Sequence, residues 1–209
     1  MYIAVEGNIG AGKSTIAEAL AKKLKAHFLP EKFEENTLLP LFYENKKKLA
    51  LLTEFSFLIE RQNQLSTYFK NNKNKITVSD FHFDKCLCFA KANLNSKDFK
   101  LYKKNYNEIK LTIPNPDLVV YLDVETSLLL ENIAKRGRTI EKNIEEHYLN
   151  NVNKAYKKHY SSKKSLSTHI LTISIKNYDK KTTEDCCKKI IETLQFKQKQ
   201  KNSLPLTNV

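Results

Sequence analysis

The chain has 209 residues, a length that fits one domain with a buried core. It carries 36 lysines and arginines against 23 aspartates and glutamates, for a net charge of +13. Only three of these cations are arginines and the lysines are spread along the chain, which argues against a specific nucleic-acid partner. No apolar run approaches the roughly 20 residues of a membrane span, and the first motif starts too near Met1 for a signal peptide. We therefore expect a cytoplasmic protein without a membrane partner.

Apolar periodicity predicts strands and helices that alternate along the chain. In chain order we expect strand 2–6, helix 13–26, strand 27–31, an apolar segment at 38–43, helix 47–70, strand 76–78, helices 83–94 and 97–111, strand 118–122, helix 126–135, a loop at 136–143, helix 145–160, strand 169–175 and helix 182–195. Short strands separated by helices predict an α/β fold with a parallel, doubly wound sheet. We expect a single domain over residues 1–196, followed by a disordered, polar and basic tail at 197–209.

The first strand runs into GNIGAGKS, which matches the phosphate-binding pattern GxxxxGK[ST]. Its glycines let backbone N–H groups converge on a polyphosphate, while Lys13 reaches the outer phosphates and Ser14 can bind Mg²⁺. The expected nucleotide-binding residues are Gly7, Asn8, Ile9, Gly10, Ala11, Gly12, Lys13, Ser14 and Thr15. In open parallel sheets, ligands lie beyond the carboxyl ends of the strands, where Glu31 and Asp80 also fall.

Two of the three arginines, Arg136 and Arg138, stand within three residues after a predicted helix. The end of a helix favours cations, and Gly137 could serve as its cap. The scarcity of arginine elsewhere favours a second interpretation, a catalytic lid whose rigid, bidentate side chains clamp phosphate oxygens. A GTPase is disfavoured because no strand is followed by the base-reading pattern NKxD.

A set of motifs runs in order from about residue 2 to residue 160. They are GNIGAGKST, EKFEEN from Glu31, LFYEN, the long helix with Glu54 and Arg61, FAK at 89–91, PDLVVYLDV at 116–124 and RGRTIE at 136–141. Together they resemble the deoxynucleoside kinase family, and most of all its bacterial deoxyadenosine/deoxyguanosine kinase group. The resemblance implies a five-stranded parallel sheet flanked by helices, as in nucleoside monophosphate kinases, with a helical lid. It also implies a homodimer that uses ATP and Mg²⁺ to phosphorylate the 5′-hydroxyl of a deoxynucleoside.

Matched residue by residue, the resemblance gives four residues catalytic roles. Glu31 corresponds to the general base that accepts the 5′-hydroxyl proton, a role that suits a carboxylate at the end of a strand. Lys13 corresponds to the lysine that holds the outer phosphates. Arg136 and Arg138 correspond to lid arginines that close over the transferring group.

The resemblance also implies contacts to the acceptor. Tyr43 and Glu141 match residues that bind the sugar 3′-hydroxyl, and Phe89 matches an aromatic residue that stacks on the base. Packing in the core would account equally well for Tyr43 and nearly as well for Phe89.

Glu54 and Arg61 stand seven residues apart on one predicted helix and therefore share a face. In the family the first position is often Gln, which reads the base edge, and the second is Arg in purine-preferring kinases. An ionised Glu54 only accepts hydrogen bonds, so it suits N–H donors such as those of guanine. Arg61 would donate to purine acceptors. We expect a purine deoxynucleoside, with guanine slightly ahead of adenine; a salt-bridged helix face is the alternative.

The chief departure from the family lies at Ser79-Asp80-Phe81, where an acid followed by Arg and Ser is common. The arginine is missing. We expect Asp80 to supply the carboxylate on the metal side, together with Ser14; alternatively, Lys85 or Lys32 replaces the lost cation.

Two other functions remain open at this point. A thymidylate-type kinase shares the loop and the lid but accepts a monophosphate, and Glu31 would stand where that acceptor phosphate lies. A non-catalytic P-loop protein that binds nucleotides or nucleic acid would use the net positive charge instead.

Overall fold

The computed structural model of the protein describes residues 1–162 and 169–203. Its strands are β1 (Tyr2–Gly7), β2 (His27–Leu29), β3 (Thr77–Ser79), β4 (Leu118–Val124) and β5 (His169–Ile175). They form one sheet in the order β2-β3-β1-β4-β5, in which every neighbouring pair is parallel. The sheet is built outward in both directions from β1, so the predicted doubly wound, five-stranded fold is confirmed.

Helices cover both faces of the sheet. Within the described residues they are α1 (Lys13–Leu24), α2 (Leu38–Glu44), α3 (Lys46–Asn71), α4 (Lys85–Asn93), α5 (Ser96–Lys110), α6 (Thr126–Arg136), α7 (Glu146–Ser162) and α8 (Thr182–Ser203). Strand β1 is buried throughout. Ile3 and Val5 belong to a core shared with α1, α7 and α8, whereas Tyr2 and Ala4 belong to a second core shared with α3, α4 and α5. This alternation follows the two-residue period of a strand.

Some element boundaries differ from the sequence prediction. Strand β2 ends at Leu29 because Pro30 has no N–H to donate to the ladder. The apolar segment at 38–43 forms the short helix α2, and α1 ends early where Lys25 adopts a left-handed conformation with φ 50°.

The last helix, α8, continues to Ser203 instead of ending at 195, so residues 197–203 of the predicted tail are helical. Its last two turns are rich in lysine and glutamine, which favour helix, and the next proline comes only at Pro205. Residues 204–209 of the tail lie outside the described residues.

The lid segment joins α6 to α7 through a short 3₁₀ turn at Thr139–Glu141. Gly137 caps α6 with φ 68°, so the cap interpretation applies to this segment, and the catalytic lid stays a prediction. All four cysteines are buried free thiols. In the described part of the chain, we find no helix with the length and apolar character needed to span a membrane.

Candidate active site

A cleft opens at the carboxyl ends of β1, β2 and β3, beneath the lid. Every residue predicted from the sequence to be catalytic or to contact the acceptor lines it: Lys13, Glu31, Tyr43, Glu54, Arg61, Asp80, Phe89, Arg136, Arg138 and Glu141. Of the predicted nucleotide-binding residues, Ile9, Gly10, Lys13 and Ser14 also line the cleft, whereas Gly7, Asn8, Ala11 and Gly12 complete the loop and Thr15 is exposed on α1.

The phosphate-binding loop between β1 and α1 needs glycine at two positions. Gly10 and Gly12 have φ values of 80° and 73°, in the left-handed region that glycine adopts without strain. A Cβ on Gly10 would also lie 2.7 Å from the carbonyl oxygen of Leu129. Lys13 Nζ donates to the Asn8 carbonyl oxygen at 2.8 Å, which folds the lysine over the loop.

Two distant side chains brace this loop, and the sequence did not reveal either. Asn8 is buried and donates from Nδ2 to Asn153 Oδ1 on α7 at 2.8 Å, while its Oδ1 accepts from the backbone N–H of Ile9 at 2.8 Å. The hydroxyl of Tyr178, which follows β5, donates to the Ala11 carbonyl oxygen at 2.5 Å. Both partners lie more than 140 residues away along the chain, and no local pattern marks them.

The lysine of the loop is desolvated and lies near Lys85 and three carboxylates. The pKa of Lys13 is lowered to about 8, chiefly by desolvation and next by the positive charge of Lys85. A polyphosphate in the loop would supply the negative charge that keeps Lys13 protonated.

Glu31 lies two residues beyond β2, with its carboxylate held between two cations. Arg61 Nε on α3 donates to Oε1 at 2.7 Å, and Lys85 Nζ on α4 donates to Oε2 at 2.5 Å. The three side chains are only 6% to 9% exposed. Burial alone would raise the pKa of Glu31, but Lys85 and Arg61 outweigh it and lower the pKa to about 2. Glu31 is therefore ionised, oriented and ready to accept a hydrogen bond.

Asp80, just after β3, connects the phosphate-binding loop to the Glu31 segment. Its Oδ2 accepts from Ser14 Oγ at 2.5 Å, and its Oδ1 accepts from the backbone N–H of Glu31 at 2.7 Å. A carboxylate beside a hydroxyl is a set of hard oxygen donors that fits Mg²⁺.

The two lysines offered as replacements for the missing arginine lie in different environments. Lys85 sits beside Glu31 inside the cleft. Lys32 instead pairs with Glu35 at 2.9 Å on the surface, where both side chains are mostly exposed. Lys85 is therefore the cation next to Glu31. The carboxylate expected on the metal side is still that of Asp80.

Acidic side chains hold the lid arginines over the cleft. Arg136 Nη2 donates to Glu141 Oε2 at 2.5 Å. Arg138 lies 3.7 Å from Glu141 Oε1 through Nη1 and 3.3 Å from Glu34 Oε1 through Nη2, and its guanidinium stacks 4.8 Å from the Phe33 ring centre. Both arginines are about one third exposed, so phosphate oxygens could compete for them.

The far end of the cleft is formed by α2, α3, α4 and α7. Glu54 is 3% exposed and accepts from Asn93 Nδ2 through Oε1 at 2.6 Å. Tyr43 and Phe89 are half-buried along the same cleft, and the Phe89 ring centre lies 5.5 Å from Lys85 Nζ. A planar ring bounded by an aromatic side chain and a carboxyl group would fit this end. Sequence reasoning missed Asn93, since a lone asparagine on a helix carries no motif.

Arg61 stands between the two ends of the cleft. Besides its bond to Glu31, it donates from Nη1 to Cys86 Sγ at 3.4 Å and stacks 4.5 Å from the Phe57 ring centre. Among the described residues we find no hydrogen bond from Nη2, which leaves this donor to a ligand.

A phosphate-binding loop, an ionised carboxylate and an arginine-bearing lid around one cleft define a P-loop kinase. A family model described as deoxynucleoside kinase matches residues 3–196. The chain therefore belongs to the deoxynucleoside kinase family, and the resemblance found in the sequence is confirmed.

Individual relatives agree with this family. The chain is 37% identical over 151 residues to a deoxyguanosine kinase from Bacillus subtilis, a match covering 71% of this chain and 72% of the relative. It is 26% identical over 199 residues to a deoxyadenosine/deoxycytidine kinase from the same species, covering 92% and 90%. A solved deoxyadenosine kinase from M. mycoides with bound dATP is 29% identical with a TM-score of 0.80, covering 93% of this chain and 100% of that one. The chain is an enzyme that phosphorylates deoxynucleosides and uses a nucleotide to do so.

Proposed function

We propose that this enzyme transfers the γ-phosphoryl group of ATP to the 5′-hydroxyl of a purine deoxynucleoside. The observation that carries the purine assignment is Glu54, a buried carboxyl group at the far end of the cleft, with Arg61 beside it. An ionised Glu54 accepts from N–H groups of a base edge, and Arg61 Nη2 can donate to purine acceptors. Relatives named as deoxyguanosine and deoxyadenosine kinases support the same class.

At the reacting end, Glu31 accepts the hydrogen bond of the 5′-hydroxyl and then its proton. Its low pKa means that it acts mainly by orienting the hydroxyl, since a weak base takes up the proton late in the transfer. Arg61 and Lys85 hold the carboxylate in place, and Lys85 adds positive charge next to the transferring group.

At the phosphate end, the loop amides and Lys13 hold the β- and γ-phosphates. Ser14 and Asp80 are the residues that would hold Mg²⁺, whose charge neutralises phosphate oxygens when it is bound. The bond between Ser14 and Asp80 supports this pairing, because it brings both oxygens to the mouth of the loop.

Replacing Asp80 by asparagine is expected to lower kcat and to raise the Mg²⁺ concentration needed for half-maximal rate by about tenfold or more. The amide keeps the shape but loses the charge that attracts a divalent cation. A Mg²⁺ titration of the initial rate measures the effect, with Asp185→Asn on the exposed start of α8 as the control. Unchanged kinetics and Mg²⁺ dependence would remove Asp80 from the metal side of the site.

The sugar 3′-hydroxyl is assigned to Tyr43 and Glu141, which both line the cleft between the base end and the lid. Burial, followed by the charge of Glu141, raises the pKa of Tyr43, so its hydroxyl remains protonated and can donate. Glu141 also pairs with Arg136, so one carboxylate contacts both the sugar site and the lid.

A thymidylate-type kinase is not favoured. Such an enzyme needs free cations for the acceptor phosphate, and the two buried cations closest to the 5′ position, Arg61 and Lys85, are both paired with Glu31. A second carboxylate, Asp80, stands beside them. The acceptor side of the cleft therefore suits a neutral hydroxyl.

A homodimer and a cytoplasmic location complete the proposal. Large apolar side chains of α3 and of its neighbour α5 support a second copy as partner, since Leu52, Ile59 and Leu101 are each more than half exposed. Analytical ultracentrifugation would test the stoichiometry.

The substrate proposal is tested by measuring kcat/KM with ATP for deoxyguanosine, deoxyadenosine, deoxycytidine, thymidine and dTMP near neutral pH. We expect the two purine deoxynucleosides to lead, with deoxyguanosine slightly ahead, and dTMP to be inert. Faster phosphorylation of thymidine than of either purine deoxynucleoside would overturn the purine assignment. Turnover of dTMP would overturn the proposal that the acceptor is a nucleoside.

A further inference from the structure

Glu54 is a buried carboxyl group, and among the described residues only one of its two oxygens has a hydrogen-bond partner. Oε1 accepts from Asn93 Nδ2 at 2.6 Å. Oε2 is buried and has no hydrogen-bond partner among the described residues. A buried polar atom without a hydrogen bond costs free energy. Oε2 therefore favours a ligand that forms a hydrogen bond with it. Because Glu54 lines the cleft, that ligand is the molecule that fills the base end.

The groups around Glu54 determine whether it can change charge. They come from five elements: Tyr43 on α2, Arg61 on its own helix α3, Cys86 and Asn93 on α4, Tyr102 on α5 and Tyr148 on α7. Burial raises the pKa values of the three tyrosines and the thiol above their usual ranges, so these groups stay neutral. Although burial opposes it, the charge of Glu31 raises the pKa of Arg61, which stays positive.

Glu54 is thus the group of this set that titrates near neutrality. Burial raises its pKa to about 7, against the lowering effects of the Asn93 hydrogen bond and of Arg61. Near neutral pH, both forms of the carboxyl group are therefore accessible.

The two forms offer opposite hydrogen-bonding groups at Oε2. The ionised carboxylate only accepts, whereas the protonated acid can donate its O–H. Guanine presents N–H donors at N1 and N2 of its Watson–Crick edge. Adenine presents an acceptor at N1 of the same edge, next to its amino group. Neither base changes its own protonation between about pH 6 and pH 8, so Glu54 must adapt to the base.

We propose that the proton on Glu54 selects the purine, so that the ionised form takes deoxyguanosine and the protonated form takes deoxyadenosine. This inference rests on the proposed purine specificity and adds its pH dependence. One carboxyl group would then allow a single cleft to serve two nucleosides.

The expected signature is the ratio of kcat/KM for deoxyguanosine to kcat/KM for deoxyadenosine. If each nucleoside uses one form of Glu54, this ratio rises about tenfold for each pH unit between about pH 6 and pH 8. Titration of Lys13 or of groups on ATP affects both substrates alike and cancels in the ratio.

The matched variant is Glu54→Gln, whose amide cannot titrate in this range. Its oxygen can accept from Asn93, which turns the NH₂ group toward the base as a donor. We expect the ratio in this variant to be independent of pH and to favour deoxyadenosine throughout. Glu60→Gln, a control on the exposed side of the same helix, should keep the pH dependence of the wild type.

A second measurement needs no catalysis. The pKa of Glu54 is higher in the folded than in the unfolded chain, so the folded state binds more protons. The contribution of Glu54 to the stability of the folded protein is therefore lost as the pH rises through about 7. We therefore compare the melting temperatures of the wild type and of Glu54→Gln. The difference, wild type minus variant, should decrease as the pH rises from about 5.5 to about 8. If Glu54 had the same pKa in the folded and the unfolded chain, the difference would be the same at both pH values.

The outcomes separate the inference from the proposed function. A rising ratio in the wild type and a constant ratio in Glu54→Gln would support both. Phosphorylation of both purines with a constant ratio in the wild type, or with the same slope in Glu54→Gln, would overturn the inference alone. Turnover of pyrimidine deoxynucleosides only would overturn the proposed specificity and the inference together.

Discussion

Replacing either Arg136 or Arg138 by methionine is expected to lower kcat by about a thousandfold or more, with a smaller change in the KM for the nucleoside. The transferring phosphoryl group spreads negative charge over its outer oxygens, and the planar guanidinium groups of the lid are placed to bind them. In the described structure, both arginines reach into the cleft but pair with Glu141, a partner they can exchange for phosphate. Steady-state kinetics with saturating ATP measure the loss.

The control for the lid is Lys135→Met on the preceding residue, a largely exposed lysine whose ion-pair partner is Glu131 at 3.8 Å on the surface. This change removes one charge from the same helix end but should leave kcat within about twofold, as expected for an exposed cation. The variant Arg136→Lys separates charge from shape, because lysine keeps the charge without the bidentate geometry. A lid variant that retains kcat and only raises KM would contradict a catalytic role for these arginines.

Replacing Glu31 by glutamine is expected to lower kcat by about two to four powers of ten. The amide cannot take up the 5′-hydroxyl proton, and it leaves Lys85 and Arg61 without the carboxylate that joins them. Because the pKa of Glu31 is about 2, this residue should give the wild type no acidic limb in kcat/KM above about pH 4. Single-turnover measurements with bound ATP isolate the chemical step.

Loss of the buried ion pairs also affects folding, so the Glu31 variant needs a separate control. Glu35→Gln removes a carboxylate from an exposed pair with Lys32 and should leave turnover unchanged. Binding of an ATP analogue to Glu31→Gln should stay near the wild-type value if the phosphate-binding loop is intact. A variant that is folded, binds the analogue and loses less than about tenfold in kcat would show that Glu31 is not the base.

Strand periodicity and the loop motif were sufficient to predict the sheet. Residues 118–122 of β4 are all apolar, as expected for a strand buried on both faces, and Asp123 follows near its end. For α2 the sequence predicts only an apolar segment, because this helix has seven residues and contains Pro40. Packing of the buried Phe42, rather than local propensity, holds α2 in place. The sequence prediction ends α8 too early because no glycine or proline stands between residue 195 and Ser203.

The candidate site was predictable to the extent that strand ends determine it. Glu31 and Asp80 follow neighbouring parallel strands, so their proximity to the loop follows from topology. The contacts of Arg61 with Glu31, and of Asn93 with Glu54, depend on how helices pack and which rotamers they select. These pairs lie 30 and 39 residues apart in the chain, and neither spacing carries a sequence signal.

The most direct test of how the cleft works is a crystal structure with deoxyguanosine and a non-hydrolysable ATP analogue. We expect the 5′-oxygen within hydrogen-bond distance of Glu31, about 2.6 to 3.2 Å, the guanine edge on Oε2 of Glu54 and the analogue's phosphates on Lys13. A nucleoside bound the other way round, with its base beside Lys13 and its 5′-oxygen out of reach of Glu31, would contradict the proposed arrangement.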